Sequence, residues 1–113
     1  MTRIVLLLAL SALQAACDGG SAGGGTETAR QPARIYNGYC SNCHAGGGNG
    51  APRVGPAFRM VWSDEMEEDG FEGLVNNAIH GHKAMPARGT CYDCSDEEIR
   101  ATVIYMLKHS GAR

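Results

Sequence analysis

Two cysteines and a histidine, Cys40, Cys43 and His44, stand close together in the stretch YCSNCHAGGG. Cysteines separated by two residues occur in zinc sites, in redox dithiols and in haem attachment sites, but only the last of these requires a histidine at the next position. On a helix the three side chains share one face, so two thiols can bond a porphyrin while the imidazole reaches its iron. The motif therefore indicates a chain that folds around a covalently attached haem.

The length and charge of the chain narrow the classes of function. Its 113 residues leave room for one small domain. The formal net charge of -2 gives no reason to expect nucleic-acid binding. Large apolar side chains are few after residue 31, and so small a domain buries only about 60 to 65% of its unfolded surface. A buried haem would supply the missing apolar mass.

The N-terminus has the composition of an export signal. Arg3 precedes an apolar run at residues 4–13, which is shorter than the roughly 20 residues that cross a bilayer. We therefore expect residues 1–16 to be a signal peptide. The sequence LQAAC resembles a bacterial lipobox, although Leu13 stands four residues before Cys17 rather than three. Cys17 is predicted to carry a lipid, with plain periplasmic secretion as the alternative.

The cysteine count agrees with a lipid anchor. Of the five cysteines, two belong to the haem motif, and Cys91 and Cys94 can pair with each other in an oxidising compartment. Cys17 is left over, and lipidation would account for it. Residues 17–31 are glycine-rich and without apolar periodicity, so they are predicted to be a flexible tether. Residues 32–113 form the predicted domain.

Apolar spacing predicts three helices and no strand, hence an all-α domain. The first covers residues 32–43 and the second residues 70–80, with Asp69 as its N-cap. The third starts at Ser95, whose pairing with Glu98 is a capping box, and it ends at Gly111. Two long loops, residues 45–61 and 81–94, are expected to wrap the cofactor.

Met85 is the candidate for the second axial ligand of the iron. It lies in GHKAMPARG, between two predicted helices, where Pro86 stiffens the backbone and Gly81 and Gly89 permit tight turns. The other methionines of the domain stand in helical or acidic sequence. A thioether in a shaped loop is the residue type that haem iron takes opposite histidine in electron carriers.

Several segments resemble the bacterial class I monohaem c-type cytochromes, most closely the cytochrome c5 group. They are YCSNCHA, GAPRVGPAF followed by Trp62, and GHKAMPARGTCYDCSDEEIRATVIYML. The resemblance implies a small class I cytochrome c fold, in which three to four helices wrap around one haem c. It implies thioether bonds from Cys40 and Cys43, and axial ligation by His44 and Met85.

The same resemblance implies a disulfide between Cys91 and Cys94. A redox-active dithiol is one alternative, and a zinc site built from the four cysteines of the domain is another. Trp62 is expected either to donate to a haem propionate or to belong to the core. His80 and His82 are expected at a helix end and in solvent, although either imidazole could compete for iron. Four basic residues are candidate propionate partners or solvated charges, namely Arg53, Arg59, Lys83 and Arg88.

These features predict a non-enzymatic, single-haem electron carrier on the periplasmic side of the bacterial envelope, anchored to the membrane by lipid. Its expected partners are other redox proteins of a respiratory chain. The alternatives are a haem enzyme or small-molecule sensor with a displaceable distal ligand, and a cytochrome subunit of a larger respiratory complex. The acidic run at residues 64–72 is expected to be a solvated face or a docking patch for a basic partner.

Overall fold

The computed structural model describes residues 28–112. The predicted signal peptide, Cys17 and most of the predicted tether therefore lie outside the described residues. The described chain contains four α-helices, a π-helical turn and three short 3₁₀ turns. Within it there is no β-strand, only an isolated bridge between His82 and Met85. The expectation of an all-α domain is confirmed.

The N-terminal helix is continuous but not uniform. Helix α1, Pro32–Ile35, passes into a π-helical turn, Tyr36–Cys40, and then into helix α2, Ser41–His44. Pro32 suits the first turn because its missing N–H would find no partner there, and Ile35 is buried in the core. The helix predicted at residues 32–43 is thus present. The π-helical turn leads directly into the cysteine motif, a place where such irregularities are common.

Helix α3, Arg59–His80, is longer than the sequence predicts. Its second half matches the helix expected at residues 70–80, but its first half replaces the end of the predicted loop and includes most of the acidic run. Gly70 breaks the helix with φ 69° and ψ 168°. The predicted N-cap at Asp69 is one residue off, because the non-helical residue at the start of the second half is Gly70. The Asp69 carboxylate accepts a hydrogen bond from the Asn77 side chain, 2.8 Å away.

Helix α4, Asp96–Ser110, has the ends that the sequence predicts. Ser95 Oγ accepts from the Glu98 amide at 3.1 Å, and the Glu98 carboxylate accepts from the Ser95 amide at 2.9 Å, so the capping box is confirmed. Gly111 ends the helix in the left-handed conformation, φ 72°. The apolar stripe of α4 is buried against α1 and α3, and consists of Ile99, Val103, Met106 and Leu107.

The domain begins earlier than residue 32. The Arg30 backbone N–H donates to Glu98 Oε1 at 2.7 Å, and its guanidinium pairs with Glu98 at 3.0 Å and with Asp93 at 3.1 Å. The end of the predicted tether is therefore bound to the N-terminus of α4. None of the helices in residues 28–112 has the length and apolar character that crossing a bilayer would require.

Candidate haem site

A cavity of about 620 Å³ lies between the N-terminal helix, α3, α4 and the loop that carries Met85. This volume is within the range of cofactor sites in proteins. The residues predicted to attach the haem and to hold its iron all line it, namely Cys40, Cys43, His44 and Met85. A second, more open groove of about 680 Å³ between α3 and α4 contains none of them.

Both cysteines of the motif are half-buried and unpaired in the structure. Burial raises the pKa of the Cys40 thiol to about 11, so the thiol is neutral. Cys91 and Cys94 are buried side by side, with their Cα atoms 5.4 Å apart, a separation that a disulfide can span. Within residues 28–112 the four sulfur atoms do not form one cluster. The structure thus gives no support to the zinc-site alternative.

His44 ends helix α2 and is buried, with 6% of its surface exposed. Its Nδ1 lies 2.7 Å from the Pro52 carbonyl oxygen. Because a carbonyl only accepts, Nδ1 carries the proton and Nε2 keeps its lone pair for a metal. Burial lowers the pKa of His44, while the bond to Pro52 opposes this shift. The ring is therefore neutral and held in one orientation, as an axial ligand must be.

Met85 is positioned by a tight turn. The His82 amide donates to the Met85 carbonyl at 3.0 Å, and the Met85 amide donates to the His82 carbonyl at 2.8 Å. Gly81 precedes the turn with φ 87°, and a Cβ atom at Gly81 would lie 3.0 Å from the Met85 carbonyl oxygen. Pro86 follows in an extended conformation. The backbone around Met85 is thus closely determined; residues 81–90 are called the Met85 loop below.

Trp62 is a core residue beside the site. It is 5% exposed, its ring centroid is 5.9 Å from that of His44, and its indole N–H donates to the Arg53 carbonyl at 2.8 Å. Trp62 also lines the cavity, but its one N–H already has the Arg53 carbonyl as acceptor, so donation to a haem propionate stays a prediction. Arg59, the other candidate haem contact, is exposed and does not line the cavity, and its side chain runs beside Gly111 at the end of α4. The cavity lining therefore does not support this prediction.

The remaining histidines and basic residues divide between the rim and the outside. His82 lies at the rim and is exposed, whereas His80 does not line the cavity and its Nδ1 lies 3.1 Å from the Asn76 carbonyl. Lys83 and Arg88 line the cavity. Arg53 does not, since its guanidinium lies over the Phe58 ring at 4.5 Å.

Sequence reasoning missed two parts of the wall. Three carboxylates of α3 line the cavity, Glu65, Glu68 and Asp69, and they share one helix face because they are three and four residues apart. The inner wall comes from apolar residues of the second and third predicted helices. They are Leu74 and Ala78 of α3 and Ile99, Val103 and Met106 of α4. Two thiols, a neutral imidazole, a thioether and apolar walls are the groups that covalent haem attachment needs.

Comparison with known proteins agrees with this donor set. The family model described as cytochrome C oxidase, cbb3-type, subunit III, matches residues 27–106. Cytochrome c5 of Ectopseudomonas mendocina is 40% identical over 87 residues, which cover 76% of this chain and 94% of that protein.

Two solved structures are also similar to this chain. One belongs to the electron transfer complex of nitrite reductase with cytochrome c. It has a TM-score of 0.63 and 29% identity, and the match covers 71% of this chain and 94% of that one. Reduced cytochrome c551 of Ectothiorhodospira halophila has a TM-score of 0.54 and 32% identity, with coverage of 69% and 97%. This chain therefore belongs to the class I monohaem c-type cytochromes, in the cytochrome c5-like branch.

Proposed function

We propose that this chain is a single-haem electron carrier in which Cys40 and Cys43 attach the haem and His44 and Met85 hold its iron. The observation that carries the proposal is the convergence of all four residues on one cavity. Members of this family carry one covalently attached haem c and transfer electrons, as relatives such as cytochrome c5 do. With both axial positions filled by protein side chains, no substrate needs to bind the iron.

The haem supplies an iron that accepts and releases one electron, and the protein supplies a rigid, dry surrounding. The hydrogen bond from His44 to the Pro52 carbonyl fixes the imidazole and raises its basicity. A thioether at Met85 favours the reduced state and so raises the reduction potential relative to two imidazoles. The apolar side chains of Leu74, Val103 and Met106 line the cavity and would exclude water from a bound haem. Little rearrangement is then needed when the charge changes.

Replacing Met85 tests the axial assignment. Met85→Ala should keep covalent haem but lose the far-red absorption band of a methionine-ligated ferric haem, and the ferrous protein should then bind carbon monoxide readily. Met60→Ala is the matched control, because Met60 is 69% exposed and does not line the cavity. If the far-red band survives Met85→Ala, or if wild-type ferrous protein binds carbon monoxide as readily as the variant, Met85 is not a permanent ligand.

We further propose that the chain works on the periplasmic side of the bacterial envelope, held by a lipid on Cys17 and a tether that ends before Arg30. Support comes from the apolar leader, the lipobox-like LQAAC and the cysteine that remains unassigned. Two acyl chains would suffice for stable anchoring. The same oxidising compartment would maintain the pairing of Cys91 with Cys94, which stays a prediction for the exported protein.

Cell fractionation tests the anchor independently of the haem. Cys17→Ser should move the protein from the membrane fraction to the soluble fraction without changing its visible spectrum. Unchanged membrane association would contradict lipidation at Cys17.

The partners we propose are other redox proteins of a respiratory chain, and the similarity to a structure titled as an electron transfer complex supports this class of partner.

A further inference from the structure

Arg88 connects the Met85 loop to the start of α4. Its Nη1 donates to the Cys94 carbonyl at 2.8 Å, and its Nη2 forms an ion pair with Asp96, the first residue of α4. The Arg88 side chain is 25% exposed and lines the cavity, three residues after Met85. One guanidinium thus contacts the cavity, the turn at Cys94 and the helix that forms the inner wall.

No other hydrogen bond in the described chain joins the Met85 loop to the turn at Cys94 or to the start of α4. The backbone hydrogen bonds of residues 82–90 all close turns within the segment 82–92. At its other end the loop is joined to α3 by the Gly81 amide, which donates to the Asn77 carbonyl at 2.8 Å. Without the guanidinium, the loop would be attached to α4 only through the chain and through packing.

The backbone at Arg88 supports a role for its side chain. Arg88 has φ 57° and ψ 19°, a left-handed conformation that glycine adopts freely and other residues adopt at a cost. Gly89 and Thr90 follow with φ 54° and 73°, and a Cβ atom at Gly89 would lie 3.8 Å from Cys40 Sγ. The turn therefore lies against the attachment motif, and the bonds of the guanidinium offset the strain of its own backbone.

We propose that Arg88 is a positioning residue that holds the Met85 loop closed, so that the Met85 thioether stays available to the iron. The proposal rests on the axial role of Met85 proposed above. A methionine carried by a loop leaves the metal whenever the loop opens locally, and local opening is governed by the few contacts that tie the loop down. Removing the guanidinium removes two charge-assisted hydrogen bonds and should increase the open population.

The test compares Arg88→Gln with Arg100→Gln in the haem-loaded protein. Arg100 is the matched control because it also pairs with one carboxylate, that of Glu72, loses the same charge, and does not line the cavity. For Arg88→Gln we expect a weaker far-red band and at least about tenfold faster carbon monoxide binding to ferrous protein, since the loss of even one of the two charge-assisted hydrogen bonds corresponds to about a factor of ten. Arg100→Gln should leave both unchanged. Arg88→Lys, which keeps the charge but not the fork of donors, should fall between.

Each outcome decides the proposal. Wild-type carbon monoxide kinetics and an unchanged band in Arg88→Gln would overturn it, and so would an equal change in Arg100→Gln. Should Arg88→Gln fail to fold, Asp96→Asn gives the same readouts with the arginine in place. Asp96 is the exposed ion-pair partner of Arg88. If Met85→Ala abolishes the band while Arg88→Gln and Asp96→Asn do not alter it, Met85 is the ligand and only the positioning role of Arg88 is refuted.

Discussion

Gly81 is the residue of the Met85 loop at which a single methyl group should have the largest effect. Its φ of 87° and ψ of 153° belong to a backbone region that only glycine occupies readily. A Cβ atom would lie 3.0 Å from both the Ala87 amide nitrogen and the Met85 carbonyl oxygen. Both contacts are with backbone atoms, which cannot rotate away as a flexible side chain could. Gly81→Ala must therefore displace the turn that presents Met85.

The expected size follows from two contributions. The backbone conformation costs an alanine about 1–3 kcal/mol, and forcing an extra carbon against packed atoms costs about 1–3 kcal/mol more. We expect Gly81→Ala to lower the free energy of unfolding by the sum of the two, about 2–6 kcal/mol. Gly70 is the control, because its φ of 69° and ψ of 168° are similar and a Cβ atom there meets nothing within 4 Å. Gly70→Ala should cost the backbone contribution alone, about 1–3 kcal/mol.

Denaturant unfolding and visible spectroscopy measure the two effects on the same samples. Gly81→Ala should be the less stable variant and should also lose intensity in the far-red band of the ferric protein, since its clash falls on the Met85 carbonyl. Gly70→Ala should lose stability alone. Equal destabilisation of the two variants, with a wild-type band in Gly81→Ala, would refute the reasoning that Gly81 shapes the ligand loop.

Two further predictions concern the polar contacts of the fold. Hydrogen bonds from the Arg30 side chain, then from backbone amides, hold the pKa of Glu98 at about 2 instead of 4.5. As pH falls, the Glu98 carboxylate is therefore protonated in the unfolded chain before it is protonated in the folded protein. The stability that Glu98 contributes is complete above pH 4.5 and is lost as pH falls from 4.5 to 2. Denaturant midpoints across this window should fall less steeply for Glu98→Gln than for wild type, and parallel curves would contradict the ion pair. Trp62→Phe should lower the unfolding free energy by about 1–3 kcal/mol, because the part-buried Arg53 carbonyl loses its donor. A change below about 0.5 kcal/mol would contradict a stabilising role for this hydrogen bond.

The parts of the fold that the sequence predicts well are those fixed by local chemistry. The haem-attachment motif places two thiols and an imidazole within residues 40–44. The capping box of Ser95 and Glu98 defines the start of α4 by local contacts alone. The position of Met85 was predictable because glycine and proline restrict the backbone on both sides. In each case the signal lies within one short segment.

The first half of α3 was not predictable in the same way. Its polar face carries most of the acidic run, and its apolar face offers little more than Trp62 and Met66, four residues apart. That spacing is a helical signal, but it is weak without a partner surface, and most helical stability comes from tertiary packing. The rim carboxylates Glu65 and Glu68 were missed for the same reason, since their place at the cavity depends on how α3 packs.

The two proposed axial ligands, His44 and Met85, are held in different ways, and this difference decides where the proposed site is weakest. His44 ends helix α2, is buried, and has its ring fixed by the Pro52 carbonyl. Met85 belongs to a loop whose backbone bonds are local. Local opening requires the fewest broken contacts on the Met85 side. Substitutions in the Met85 loop should therefore weaken methionine ligation before they unfold the domain. Substitutions near His44 should weaken iron ligation and lower the stability of the fold together.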